Sequence, residues 1–185
     1  MPDMNETILH ADGLLLRPLR SEDADEVFAA AHASRREIGR WLEWCHEDYQ
    51  RHETVEFLAN QPEAWAGGQA YSFGIFDAAT LRFLGGAGLN GFHEAQPFAN
   101  LGYWVRTDAT GGGVASRAAR RVAEWALPAL GLARIEIVAA ADNAASRRVA
   151  EKAGARFEGV LRNRLVIHGQ PADAAMYSLV KEDFA

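Results

Sequence analysis

One cysteine, Cys45, is the only thiol in the 185-residue chain, so no internal disulfide can form. Without partner cysteines or closely spaced histidines, nothing reads as a zinc site, and no metal is expected. No apolar run is long enough to span a bilayer. No repeat, low-complexity tract or Pro/Ser linker divides the sequence, so residues 1–185 are expected to form one domain, with residues 1–12 as a loose leading segment. The opening residues lack a basic stretch followed by an apolar one, which makes the cytoplasm the expected compartment. Positive charge is in deficit as well: 19 Lys and Arg stand against 25 Asp and Glu, a formal net charge of -6. That balance argues against broad contact with nucleic-acid phosphates and favours cationic small partners. What is present is apolar and aromatic content of 49% and 10%, enough for one packed core and too much for a disordered chain.

Periodicity predicts a mixed α/β chain. Leu14 to Leu19 reads as a short strand whose Pro18 marks an end or edge. Ser21, followed by Glu22, Asp23 and Asp25, reads as a helix start, with Val27, Phe28 and Ala31 as the apolar stripe. Further helical stretches are expected from Arg35 to Leu42 and from Thr54 to Trp65, the latter with Val55, Leu58 and Ala59 on one face. Between them, Trp41 and Trp44 form an aromatic cluster that either packs or walls a substrate site. The runs Tyr71–Phe76, Phe83–Asn90 and Leu101–Arg106 read as an antiparallel meander. A helix from Gly113 to Ala129, a strand through Ile135, Ile137 and Ala139, and a short helix capped by Asn143 and running through Ala153 follow. Two last strands, Phe157–Ile167 and Ala172–Val180, flank a turn at His168. The strand, helix, strand piece from Leu101 to Ala139 implies two parallel neighbours with a right-handed crossover. A ligand is expected at its strand-to-helix junction.

That junction reads Thr110-Gly111-Gly112-Gly113-Val114-Ala115-Ser116. Three glycines before a helix leave backbone N–H groups uncovered beside the positive end of the helix dipole, a place for a pyrophosphate. A triphosphate-binding P-loop would continue with Lys and Ser or Thr, whereas Val114-Ala115 follows here. The dinucleotide fingerprint fits poorly too, because this loop follows an antiparallel meander.

Three blocks carry a family resemblance: Leu101-Gly102-Tyr103-Trp104-Val105-Arg106, the glycine loop, and the stretch from Asp142 through Asn143, Ser146 and Gly154 to Gly159. With Leu16-Arg17-Pro18-Leu19 at the start and Leu161-Arg162-Asn163-Arg164-Leu165 through Tyr177-Ser178-Leu179 at the end, the chain closely resembles the GNAT acyl-CoA N-acyltransferases. Within them it is similar to the branch that acetylates ribosomal-protein N-termini and related amines. The resemblance implies a mostly antiparallel six- to seven-stranded sheet with helices on both faces and a central parallel pair that splays to admit CoA. It implies acetyl-CoA as cosubstrate, an amine acceptor that attacks the acetyl carbonyl directly, no nucleic-acid or membrane partner, and a monomer or homodimer. The acceptor is expected to be a peptide or protein N-terminal α-amine, with a small cationic amine or antibiotic, or a catalytically silent acyl-CoA-binding module, as alternatives.

By the same likeness, Thr110, Gly111, Gly112, Gly113, Val114, Ala115 and Ser116 would hold the pyrophosphate. Thr110 departs from the long Gln or Arg donor usual there. Trp104, Val105 and Arg106 would offer strand backbone to the pantetheine arm, a strand N–H near Val105 would meet the oxyanion, and Asn143 would reach the arm or the adenine side. Ser146 would lie near the sulfur and meet the leaving thiolate, with Tyr103 as second choice. Arg117, Arg120 and Arg121 are open to contact with the nucleotide's further phosphate or to a solvated helix face. Asn100 stands where relatives often carry Glu; it can hold a water but cannot accept a proton. The base is then sought at His93, Glu94 or His168, and Trp41, Trp44, Asn90 and His168 are expected on the acceptor side.

Overall fold

Leu14, Leu16 and Pro18 are buried while Leu15 and Arg17 between them are half-buried, the alternation of a strand with one face on a core. This strand opens a computed structural model that describes residues 2–185. The strands are β1 (Leu9–Ala11), β2 (Leu14–Pro18), β3 (Tyr71–Asp77), β4 (Phe83–Asn90), β5 (Phe98–Val105), β6 (Arg134–Ala140), β7 (Arg156–Ile167) and β8 (Gln170–Leu179). The helices are α1 (Ala24–Ala33), α2 (Arg35–Gly39), α3 (Arg51–Ala66), α4 (Val114–Ala129) and α5 (Ala144–Lys152). All eight strands form one sheet in the order β1-β2-β3-β4-β5-β6-β8-β7. Every neighbour pair is antiparallel except β5 and β6.

The eighth strand corrects the expectation of a loose leading segment. Leu9–Ala11 pairs with Leu14–Leu16, Leu9 is buried, and the Trp65 indole donates to the Pro2 carbonyl at 2.9 Å. Three residues carry no readable period. The tight turn is made by Gly13, which takes φ +71°, a conformation natural to glycine.

Two helices also differ in detail from the expected pattern. Ser21 begins a short 3-10 turn, and the carboxylate of Asp23 ties that corner together, accepting from the Arg20 N–H at 2.7 Å and from both Arg17 terminal nitrogens at 2.8 and 2.7 Å. Along α3 the buried residues are Thr54, Leu58, Gln61 and Trp65, while Val55 and Ala59 face outward. Trp65 decides the face, because its large ring packs edge-on against Tyr71 and Phe73. The expected stripe of α4 is buried at Val114, Ala118, Val122 and Ala126, in one cluster with Leu101, Ile135 and Ile137 of the sheet. On the other side, Val27 and Ala30 of α1 and Leu58 of α3 pack with Phe76 and Phe83. No helix among the described residues is long and apolar enough to cross a membrane.

The parallel pair matters most for function. β5 and β6 pair at Phe98↔Arg134, Ala99↔Ile135 and Asn100↔Glu136, and no further. Beyond that point β5 stays paired with β4 through Val105, and β6 with β8 through Ala140. Each strand therefore keeps one satisfied edge and turns a bare one toward the other.

Candidate active site

A cleft of about 560 Å³ follows this opening. The Arg106 N–H donates to the Leu84 carbonyl at 2.9 Å. Main-chain groups alternate sides along a strand, so those of Trp104 also face β4, and those of Tyr103 and Val105 face the gap. On β6 the Ala141 N–H donates to the Asp173 carbonyl at 2.8 Å, which by the same alternation leaves Val138 facing the gap. The backbone expected from Trp104 to Arg106 is thus corrected to Tyr103 and Val105. The Arg106 side chain is bound elsewhere, at 2.6 Å to Asp108 and 3.2 Å to the Phe83 carbonyl. Trp104 still lines the cleft with its side chain.

At the open end the chain turns through the glycine loop into α4. Gly111 and Gly113 hold φ of +84° and +74°, where a side chain would strain the backbone. Gly113 precedes the first residue of α4, and no side chain caps that end. Among the described residues, no side chain accepts a hydrogen bond from the backbone nitrogens of Gly111 through Ala115. A Cβ placed on Gly111 or Gly112 would meet no atom within 4 Å, so protein packing does not require glycine there. Bare donors, free space and a positive helix end fit an anion such as a diphosphate. Thr110, Gly111, Gly113, Val114, Ala115 and Ser116 line the cleft; Gly112 is not among the lining residues. The Thr110 and Ser116 hydroxyls donate within the loop, to the Thr107 carbonyl at 2.8 Å and the Gly113 carbonyl at 3.0 Å.

Across the gap, Asn143 caps α5 by accepting the Ser146 N–H at 3.0 Å. This cap places Ser146 beside Tyr103. The Tyr103 hydroxyl donates to the Ser146 carbonyl at 2.9 Å and lies 3.2 Å from the Ser146 Oγ. Burial pushes the Tyr103 phenol up to about 12, so it stays protonated throughout the working range. Asn143, Ser146 and Tyr103 all line the cleft.

Of the three arginines on α4, Arg120 donates to the Ala153 carbonyl and stacks on Phe184, and Arg121 binds the His10 carbonyl and Glu124. Both hold the fold. The Nε of Arg117 is buried without a partner, and its Nη1 would lie 3.8 Å from a Cβ on Gly113. Two basic residues at the cleft escaped sequence reasoning: Arg148 and Lys152 of α5, one turn apart. Their spacing behind the Asn143 cap was the available signal.

The other side of the sheet supplies Glu37, Ile38, Trp41 and Leu42, together with Leu165, Val166 and Ile167 from the closing hairpin. Of the expected acceptor residues, only Trp41 lines the cleft. Trp44 packs edge-on against Trp104, with ring centroids 5.5 Å apart. The His168 N–H donates to Glu43 at 2.5 Å in an exposed turn. Asn90 and Asn100 join each other, Nδ2 of Asn100 to Oδ1 of Asn90 at 3.1 Å, beside the closed end of the gap. His93 stacks on Phe98 and accepts from the Ala95 N–H. His93 and Glu94 lie in the loop before β5, at the opposite end from the opening, and neither lines the cleft.

Comparison with known proteins places this geometry. The family model described as an acetyltransferase (GNAT) domain matches residues 13–156. An uncharacterized N-acetyltransferase, YoaA of Bacillus subtilis, is 30% identical over 178 residues, covering 94% of this chain and 97% of its own. The solved structure of Mycobacterium smegmatis RimJ in complex with CoA-disulfide is 25% identical, with a TM-score of 0.82 over 96% of this chain and 87% of that one. The fold is also that of a Salmonella typhimurium acetyl transferase that modifies the N-terminal serine of ribosomal protein L7/L12, at 19% identity and a TM-score of 0.83 over 94% and 99% of the two chains. The chain belongs to the GNAT acetyltransferase family, as an N-acetyltransferase.

Proposed function

We propose that the protein moves an acetyl group from acetyl-CoA to the N-terminal α-amine of a peptide or protein. The observation that carries this reading is the parallel pair, zipped for three residue pairs and open beyond them. Acetyl-CoA supplies an activated acyl group and a thiolate leaving group. The nitrogens from Gly111 to Ala115, with the dipole of α4 behind them, hold the diphosphate. Arg148 and Lys152, which line the cleft, meet the remaining phosphate, with Arg117 of α4 as a further candidate. Main-chain groups of Tyr103, Val105 and Val138 pair with the amides of the pantetheine arm, as a sheet edge pairs with a peptide. The Val105 N–H is the donor for charge developing on the carbonyl oxygen. The Ser146 hydroxyl meets the departing sulfur, with the Tyr103 phenol fixing its position.

The acceptor side favours a peptide over a polycation. Its wall is Ile38, Trp41, Leu42, Leu165, Val166 and Ile167, with Glu37 as the carboxylate among the lining residues. A polyamine or aminoglycoside needs several carboxylates, whereas a peptide N-terminus presents one charge followed by side chains. An α-amine, with pKa near ~8, also supplies far more of the attacking neutral form at pH 7 than a lysine near ~10.4. The RimJ likeness and the L7/L12-modifying fold relative point the same way.

Thiol release from acetyl-CoA tests this with short peptides beginning in Ser or Ala, the same peptides with blocked N-termini, spermidine and an aminoglycoside. Turnover confined to peptides with a free N-terminus is expected. Faster turnover on spermidine or the aminoglycoside overturns the acceptor assignment, and tight acetyl-CoA binding with no turnover on any amine makes the protein a binding module.

A further inference from the structure

Asn100 cannot accept a proton, and His93, Glu94 and His168 lie away from the cleft. Glu37, the carboxylate already named at the site, sits on α2 and accepts the Thr107 hydroxyl at 3.2 Å, so none of these sets a carboxylate at the parallel pair. The parallel register places one beside it. Glu136 of β6 is the direct partner of Asn100, and partners in a parallel pair project to the same face of the sheet. By strand alternation that face also carries Gly102, Trp104 and Val138, all of which line the cleft; Asn100 and Glu136 do not line it but form the last closed pair, next to where it begins, and their face is opposite to that of Tyr103. The same transverse row continues to Asn90 on β4 and Ser178 on β8.

Glu136 is poorly served by its neighbours. Its side chain is only 18% exposed and touches Arg134 through one oxygen at 3.1 Å. Its other oxygen has no partner among the described residues. Arg134 is turned mainly toward Glu158 of β7, with bonds of 3.2 and 2.8 Å, and the Ser178 hydroxyl also donates to Glu158, at 2.6 Å. That oxygen is not buried, so water or a substrate ammonium can reach it. The charged groups around Glu136 are Arg134 on its own strand and Glu158 and Arg156 on β7; β8 contributes Ser178, β5 Asn100 and β4 Asn90.

We propose that Glu136 is the proton acceptor of the reaction, taking a proton from the acceptor ammonium directly or across one water held by the Asn90–Asn100 pair. The inference rests on the N-acetyltransferase reading above. The ammonium gives one proton to the Glu136 carboxylate and the neutral amine attacks the acetyl carbon. The C–N bond forms and the C–S bond breaks. The second nitrogen proton ends on the thiolate by way of Ser146, and Glu136 returns the first to solvent. One acetyl amide, one thiol and one released proton result.

The test is steady-state CoA release from pH 6.5 to 9.5 with the best-used free N-terminal peptide, for wild type, Glu136→Gln, Glu136→Asp and the double variant Glu136→Gln with Asn100→Glu. Glu136→Gln is expected to lose about 10²-fold in kcat/KM at pH 7, with the deficit shrinking at higher pH as solution supplies neutral amine. Acetyl-CoA affinity and melting temperature are expected to stay near wild type. Glu136→Asp keeps the charge beside Arg134 but withdraws the carboxylate by one methylene, and about a tenfold loss is expected. The double variant, with its carboxylate one strand away, is expected to regain most of the rate. Wild-type rates in Glu136→Gln or Glu136→Asp overturn the proposal. So does a deficit that is flat with pH and not rescued by Asn100→Glu, the signature of a residue that only supports Arg134. If wild type turns over and Glu136→Gln matches it, this inference alone fails; if wild type turns over no amine, the acceptor reading fails with it.

Discussion

Tyr103 shows how one side chain serves both the core and the cleft. Its ring packs against the main core cluster, and its hydroxyl donates to the Ser146 carbonyl across the gap. Tyr103→Phe keeps the ring and removes that clasp, so the Ser146 hydroxyl proposed to meet the sulfur loses its fixed position. We expect kcat to fall by about 10²-fold with acetyl-CoA affinity nearly unchanged, measured by CoA release and calorimetry. The wild-type phenol is held near 12 by burial. Its deprotonation therefore contributes no alkaline fall in rate below pH 10, and a fall centred near pH 9 that disappears in Tyr103→Phe contradicts the assignment. Ser146 and Asn143 were legible because they lie in one local block with a helix cap that physical chemistry requires. Glu136 was not. Its position depends on which residue of a strand over thirty places earlier it pairs with, and a one-residue slip would send it to the other face.

At the scale of elements, α4 was readable and its neighbours less so. Sixteen residues with one apolar stripe and a glycine run before them specify a helix and its start. In α3 the apolar residues are sparse, and burial of Trp65 overrides the stripe suggested by Val55 and Ala59. The N-terminus of α4 allows stability and binding to be separated. Ala115, in the first turn, lines the cleft. Ala115→Asp places a carboxylate at the positive end of the dipole, which favours the helix by about 0.3–1 kcal/mol. The same carboxylate repels a bound diphosphate: at about 4 Å and an effective dielectric constant of about 20, one unit of like charge costs about 4 kcal/mol. Thermal melting is expected at or above the wild-type temperature, and acetyl-CoA affinity is expected to drop about a thousandfold. A variant that melts normally and binds acetyl-CoA as wild type does would remove the loop from the site.

At the scale of the whole molecule, one sheet carries an incomplete seam. The strand, helix, strand piece from Leu101 to Ala139 pointed to two parallel neighbours, but the length of their pairing is set by tertiary geometry and has no local signature. Amide exchange reads the seam directly. The Trp104 N–H is directed to β4, whereas those of Tyr103 and Val105 face the gap. In the free protein Tyr103 and Val105 are therefore expected to exchange through local events, and Trp104 only through larger openings. Ligand at a hundred times its dissociation constant slows every globally exchanging amide by about 2.7 kcal/mol, about a hundredfold. General slowing on adding acetyl-CoA is therefore uninformative. The diagnostic quantity is the ratio of the Val105 rate to the Trp104 rate, which is expected to be large without acetyl-CoA and to collapse toward one when the pantetheine arm supplies the missing acceptors. A ratio near one in the free protein would mean that β5 and β6 are joined along their length in solution, leaving no place for the arm between them.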